Sequence, residues 1–271
     1  MTLFDEPPRS ETASEQDDHR VRVKLIVAYD GSGFHGFAAN HGVTTVAGTL
    51  EQALETVTQS RVSLTAAGRT DRGVHAWGQV VSVDLPADVN LSEMQHAVNR
   101  ICRGSIVVRD ASVADHEFDA RFSASSRVYR YTIVNRPAPD PLVASTAWWV
   151  EQPLDVRSMQ LACDPLIGEH DFSTFCRRPK SAAGDEHSLV RRVIDAQWTV
   201  SESERTALLR FQIEAKAFCQ QMVRSIVGTM VDVGSGRKRA GEVAAILRAG
   251  NRSLAGHIAP PHGLCLWEVH Y

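Results

Sequence analysis

Nowhere in this 271-residue chain is there an apolar run approaching the roughly 18–20 residues that a membrane-crossing helix needs. The opening stretch, MTLFDEPPRSETASEQDD, is acidic and has no apolar centre, so it does not read as a signal peptide. A cytoplasmic protein is expected. Cysteine is sparse: five residues, at 102, 163, 176, 219 and 265, with no C-x-x-C pair. An odd count at irregular spacing argues against a disulfide framework or a zinc site, and buried, reduced thiols are expected. His35, His41 and His75 fall on different loops with no H-x-x-x-H spacing, so no metal centre is expected. There is no G-x-S-x-G motif and no cysteine beside an obvious base, so a serine or cysteine hydrolase has no support. No repeat of fixed short period is present.

A large charge of either sign is also missing. The net charge is −3, which by itself argues against nucleic acid. Residues 1–19, however, hold six acids and one arginine, and without them the remainder carries +2. This tail is rich in Pro, Ser and acid and is expected to be disordered. The body permits an RNA partner without demanding one. Deleting residues 1–19 is expected to leave turnover nearly unchanged, because that composition cannot build a core. A large loss of activity in a folded truncation would show that the tail has a role.

What is present is an ordinary globular pattern of strands and helices. VRVKLIVAY (21–29) alternates as a strand. Helical spacing follows over Thr49–Ser60. RVSLTAA and GQVVSVDL read as strands, Asn90–Cys102 as a helix, and SIVVRDASV as another strand. In that helix Asn90 and Glu93 form a capping box, with Leu91, Met94, Val98 and Ile101 facing inward. The order strand, helix, strand, strand, helix, strand suggests a split βαβ unit. In the second half RVYRYTIVN (127–135) is a strand, Asp155–Leu166 a helix, and residues 177–188 a polar loop. LVRRVIDAQWTV and TALLRFQIEAKAF read as a hairpin across SESER. Cys219–Gly234 and Glu242–Ala249 read as helices, and LCLWEVHY as a final strand. The expected class is α+β, with mainly antiparallel sheets in two mixed domains, 20–114 and 115–271.

Two stretches carry chemistry. DGSGFHG holds G-x-G-x-x-G after a strand, but no helix period begins until about Thr49. A pyrophosphate site needs a helix N-terminus at that loop, so no nucleotide cofactor and no oxidoreductase is expected. The second stretch, AAGRTDRGVHA (66–76), sets one carboxylate, Asp71, between Arg69 and Arg72, with Gly68 and Gly73 as joints. A carboxylate held near guanidiniums can be both desolvated and anionic. That state suits a nucleophile toward an electron-poor carbon such as an anomeric centre. A solvent-exposed turn with a structural Asp–Arg bridge fits the same residues.

GRTDRGVHA resembles the signature loop of the TruA family of tRNA pseudouridine synthases. YDGSGFHGF, FDARFSASSRVYRYTI, GEHDFSTFC, MVRSIVGTM and APPHGLCLWEVHY resemble five further family blocks, in order, from about Val23 to Tyr271. Three departures stand out. Phe37 replaces a usual Trp, Asp119 a usual His, and Cys219, Gln220 and Gln221 a stretch that often carries Leu and Tyr.

The resemblance implies a pseudouridine synthase fold of two α/β domains with the active-site cleft between them, in a homodimer. It implies isomerisation of uridine at positions 38, 39 and 40 of the tRNA anticodon stem-loop, without metal, redox or other cofactor. It also implies that Asp71 is the nucleophile, toward C1′ or another atom, that Tyr129 stacks on the uracil, and that Arg224 pairs with Asp71. Their bland counterparts are a core tyrosine, as expected for Tyr131, and a solvated helix arginine. Arg69 and His75 would shape the loop or contact RNA. Arg177, Arg178, Lys180, Arg191, Arg192, Arg237, Lys238 and Arg239 could together hold phosphates. A non-catalytic RNA-binding module is the remaining rival, disfavoured by the retained Asp71.

Overall fold

The computed structural model describes residues 20–178, 188–202 and 207–271. The acidic tail, Lys180, most of the polar loop 177–188 and the tip of the SESER connection lie outside the described residues.

Strand β1 (Arg20–Tyr29) places Val23, Leu25, Val27 and Tyr29 on one buried face, as its alternation predicts. Strand β3 (His75–Pro86) runs antiparallel to it, with Leu25 opposite Val81 and Val23 opposite Val83. Strand β4 (Ile106–Val113) takes the other edge of β1, and the short β2 (Thr65–Ala66) pairs with β3. The local order β4-β1-β3-β2 is that of the split βαβ unit, with helices α1 (Val46–Thr58) and α2 (Leu91–Cys102) packed on one another.

The second half contains β5 (Ser126–Asn135), β6 (Trp148–Val150), α3 (Val156–Leu161), β7 (Gly168–Asp171), β8 (Val190–Glu202) and β9 (Ala207–Ala215). After them come α4 (Met222–Gly234), α5 (Val243–Arg248) and β10 (Leu264–His270). β8 and β9 pair antiparallel, as the expected hairpin requires. β10 returns to lie between β5 and β3. It is antiparallel to β5 but parallel to β3, and only at Cys265↔His75 and Leu266↔Ala76. Among the described residues ten strands thus form one mixed, mostly antiparallel sheet, the α+β class expected. The division expected at 114/115 falls between β4 and β5, across which the sheet and the buried core are continuous. Where β3 and β10 part, β2 takes the edge of β3, and the loop 67–74 occupies the fork.

Several expected elements are corrected. Of RVSLTAA only Thr65–Ala66 ladders. The Val62 and Leu64 N–H groups instead donate to the carboxylates of Glu55 and Glu51 on α1, each at 3.2 Å. The helix expected over Asp155–Leu166 stops at Leu161, because Pro165 cannot continue it. Helix α4 starts at Met222 rather than Cys219, since Gln221 sits at φ 65°. Ile101 is exposed, and Cys102 takes the inward place. Asn90 caps α2 by accepting from Ser92 and Glu93 N–H, while Glu93 binds the Asn90 side-chain amide rather than its backbone. Cys176 and Cys219 are paired as a disulfide, with Cα atoms 5.7 Å apart, against the expectation of reduced thiols. Sequence spacing could not reveal this. The two segments run side by side only in the fold, where Arg177 N–H donates to the Gln220 carbonyl at 2.9 Å. Burial pushes the free thiols Cys163 and Cys265 up to about 12, so both are protonated at neutral pH.

Helix α4 is buried nearly all round. One side is covered by the segment 255–263, which crosses so closely that a Cβ on Gly228 would fall on the His257 carbonyl oxygen and 2.9 Å from its carbon. Both partners are backbone, so neither can yield cheaply. Gly228→Ala is expected to destabilise by about 1–3 kcal/mol, lowering Tm by several degrees. An unchanged thermal melt would contradict this contact.

Candidate active site

The loop 67–74 is fastened along its whole length. At its start, Ala67 N–H donates to the Val80 carbonyl at 2.8 Å. Gln79, fully buried, grips Gly68 by both backbone groups, donating to its carbonyl at 2.6 Å and accepting its N–H at 3.3 Å. The Thr70 hydroxyl lies 2.7 Å from that of Tyr29, and the Thr70 carbonyl accepts Phe37 N–H at 3.0 Å. Past Asp71 the chain turns tightly, with Val74 N–H donating to the Asp71 carbonyl at 3.1 Å and Gly73 at φ 76°, a conformation that favours glycine.

The block YDGSGFHGF is therefore a buttress. Gly31–Gly33 form a 3-10 turn, and α1, which begins at Val46, donates its first two N–H groups to the Gly36 and Phe37 carbonyls at 3.1 and 2.9 Å, so they are taken by the chain itself. Gly36, at φ 97°, lets the Thr70 carbonyl approach to 2.9 Å from where its Cβ would stand. Phe37, at the position where Trp is usual, is buried beside Tyr29 with ring centroids 6.1 Å apart.

The sequence-chosen residues sort into two groups. Asp71, Tyr129 and Arg224 come together from the loop, β5 and α4. Arg224 Nη1 lies 3.7 Å from Asp71 Oδ2, with the two side chains 14% and 30% exposed. Its Nε donates to the Ala259 carbonyl at 2.7 Å, and Ala259 N–H donates back to the Arg224 carbonyl at 3.1 Å. Arg224 is thus no solvated helix arginine. Burial lowers its pKa, opposed by Asp71 and Tyr131, and it remains a cation at neutral pH. Tyr129 is buried, with its hydroxyl facing Gly68 and its ring edge-on to Phe218 at 4.9 Å. Burial raises its pKa, with Asp71 adding to the rise and Arg127 opposing it, so Tyr129 is a neutral phenol. Tyr131 is the core tyrosine, fully buried and donating to the Pro260 carbonyl at 2.8 Å.

Arg69 and His75 do not join that group. Arg69 is exposed and makes no hydrogen bond or ion pair among the described residues. His75 is buried and braces the loop from behind. Its Nδ1 accepts Gly31 N–H at 3.1 Å, and its Nε2 lies 3.1 Å from the carbonyls of both Ser145 and His262. With Nδ1 accepting, Nε2 carries the proton. Asp30 Oδ1 also lies 3.1 Å from Nδ1. Arg237 and Lys238, expected as phosphate contacts, instead surround the buried Asp232 at 2.8 and 3.9 Å.

Sequence reasoning missed Gln79, Thr70 and Arg127. Arg127 is a buried guanidinium with no ion pair to a carboxylate among the described residues. It donates to the carbonyls of Ala67 at 3.1 and 2.9 Å, Lys216 at 2.7 Å and Arg121 at 2.6 Å. For Gln79 a signal existed, since a polar residue sits on the same strand face as Val81 and Val83.

Set beside known proteins, this fold and loop fall within a single class of RNA-modifying isomerase. A family profile described as "tRNA pseudouridine synthase" matches residues 25–123 and 162–271, and the chain belongs to that family. Its relatives carry the name "tRNA pseudouridine synthase A". The one from Bacillus subtilis (strain 168) is 37% identical over 253 residues, covering 93% of this chain and 99% of the relative. The Frankia casuarinae relative is 42% identical over 258 residues, covering 94% and 90%. The one from Streptomyces griseus is 40% identical over 257 residues, covering 93% and 88%. The protein is an isomerase acting on uridine in tRNA. Among its described residues no helix is long and apolar enough to cross a membrane.

Proposed function

We propose that the protein converts uridine to pseudouridine at positions 38, 39 and 40 of the tRNA anticodon stem-loop, with Asp71 as nucleophile. The observation that carries this reading is the Asp71–Arg224 pair at 3.7 Å, on a loop whose Gly68 faces the Tyr129 hydroxyl. The reaction is internally balanced: the N1–C1′ bond breaks, the uracil turns, C5 joins C1′, C5 loses a proton and N1 gains one. Asp71 attacks while anionic. Arg224 steadies that charge from beyond hydrogen-bond distance, which leaves the carboxylate oxygens free for substrate. Tyr129 stacks on the extruded base as a neutral phenol. Arg69, exposed on the same loop, meets the RNA, and His75 holds the loop in place.

A cytoplasmic homodimer is part of the same reading. Val190 and Ile194, on one face of β8, each stand 45% exposed, apolar surface that a second copy would cover. Pseudouridine mapping of tRNA incubated with the protein and with Asp71→Ala tests the site. Modification at other positions, or modification that survives the substitution, would overturn it.

A further inference from the structure

The most exposed large hydrophobic side chain among the described residues is Phe122, at 79%. Single exposed apolar residues are common and need no explanation. What distinguishes this one is how firmly its backbone is held. Asp119, at the position where His is usual, accepts the N–H groups of Arg121 and Phe122 at 2.7 and 2.8 Å through one carboxylate oxygen. The Asp119 carbonyl accepts Ser123 N–H at 2.9 Å, and the Ser123 hydroxyl accepts Asp119 N–H at 3.1 Å. The turn is closed from both ends, and the aromatic ring stands on it in water.

The same turn is fixed in register with the loop that carries Asp71. Ala120 is fully buried against Ala67 and Val80. Its N–H donates to the Ser82 hydroxyl at 3.1 Å, and its carbonyl accepts the Tyr271 hydroxyl at 2.9 Å. One nitrogen of Arg127 donates both to the Arg121 carbonyl at 2.6 Å and to the Ala67 carbonyl at 2.9 Å. Ala67 is the first residue of the loop 67–74. Arg121 itself lies with its guanidinium 5.3 Å from the Phe122 ring centre. A rigid aromatic paired with a cation, locked to the reacting loop, has the composition of a base-stacking platform for single-stranded nucleic acid.

We propose that Phe122 stacks on an unstacked tRNA base flanking the uridine being isomerised, with Arg121 meeting the adjacent phosphate. The inference rests on the loop 67–74 being the reaction site. It adds a substrate-holding surface outside that loop.

The test uses the full chain with Phe122→Ala, Phe122→Leu, Phe122→Trp and Arg121→Gln. Unmodified tRNA binding is measured by anisotropy and turnover by pseudouridine formation. Because Phe122 is exposed, thermal melts of its three variants are expected to match wild type. Phe122→Ala is expected to bind tRNA about tenfold more weakly, equivalent to about 1.4 kcal/mol. Its rate at saturation should stay within about threefold of wild type and its salt slope should be unchanged, since no charge is removed. Phe122→Leu should behave like Ala, having no π face, and Phe122→Trp should retain affinity. Arg121→Gln should reduce the salt slope by about one unit. Affinity of Phe122→Ala within twofold of wild type would overturn the proposal. So would wild-type affinity in Phe122→Leu, or a loss of self-association in Phe122→Ala with RNA affinity unchanged. Binding is read independently of turnover. A wild-type protein inactive at positions 38–40 would therefore sink the site reading, while the affinity comparison still decides the role of Phe122.

Discussion

Asp71→Asn is expected to reduce pseudouridine formation by at least about a thousand-fold, a loss of roughly 4 kcal/mol of transition-state stabilisation, with fold and tRNA binding nearly intact. The substitution keeps the shape of the side chain and removes its negative charge. Little else should change, because the loop does not depend on that carboxylate. Its geometry is set by the Gln79 grip on Gly68, the Tyr29–Thr70 contact, the turn from Asp71 to Val74 and the His75 brace. Among the described residues the Asp71 side chain has Arg224 alone as a partner, at 3.7 Å, too long for a hydrogen bond. Arg224 in turn is held by the Ala259 carbonyl whether or not the carboxylate is present. Thermal melts, tRNA affinity and single-turnover rates on the purified variant separate these effects. Near-wild-type turnover in Asp71→Asn would remove the nucleophile assignment. A collapse of the fold would instead show that the carboxylate is structural.

Much of this arrangement is legible in the sequence wherever local rules decide. The alternation in VRVKLIVAY predicts the buried face of β1, and Asn90 marks the start of α2, because strand period and helix capping are short-range. Errors come where a distant partner intervenes. In α2, Met94, Val98 and Cys102 form an i, i+4 row that turns toward the core, leaving Ile101 on the far flank. At 62 and 64 the backbone finds carboxylates on α1 instead of a strand. The loop GRTDRGVHA announces itself by its glycines and charges, but nothing local shows that α4 will bring Arg224 to it. The helix period places Arg224 off the apolar row, and only the reciprocal pairing with Ala259 shows why it is not solvated. Arg127 is less visible still. It reads as an ordinary strand arginine until its three carbonyl acceptors, drawn from three separate segments, are brought together.

Arg224→Met is expected to lower the maximal rate by about ten- to a hundred-fold, some 1.4–2.8 kcal/mol, while tRNA affinity stays within a few-fold of wild type. The reasoning is electrostatic. When the extruded base closes the site and displaces water, an isolated carboxylate becomes costly to hold as an anion. Among the described residues the one cation in contact range is Arg224, whose side chain is already 14% exposed and aimed by Ala259. Its charge acts without engaging the attacking oxygens, so its loss should appear in chemistry rather than in substrate capture. Arg224→Lys separates charge from shape: it keeps the cation but cannot donate to Ala259 while also facing Asp71. Its rate should fall between wild type and Met. A phosphate contact would behave differently, with weaker tRNA binding, a salt slope smaller by about one unit and an unchanged rate at saturation. Measuring single-turnover rate and salt-dependent affinity on both variants tells the roles apart. An undiminished saturated rate in Arg224→Met would move this arginine from the support of Asp71 to the binding of RNA.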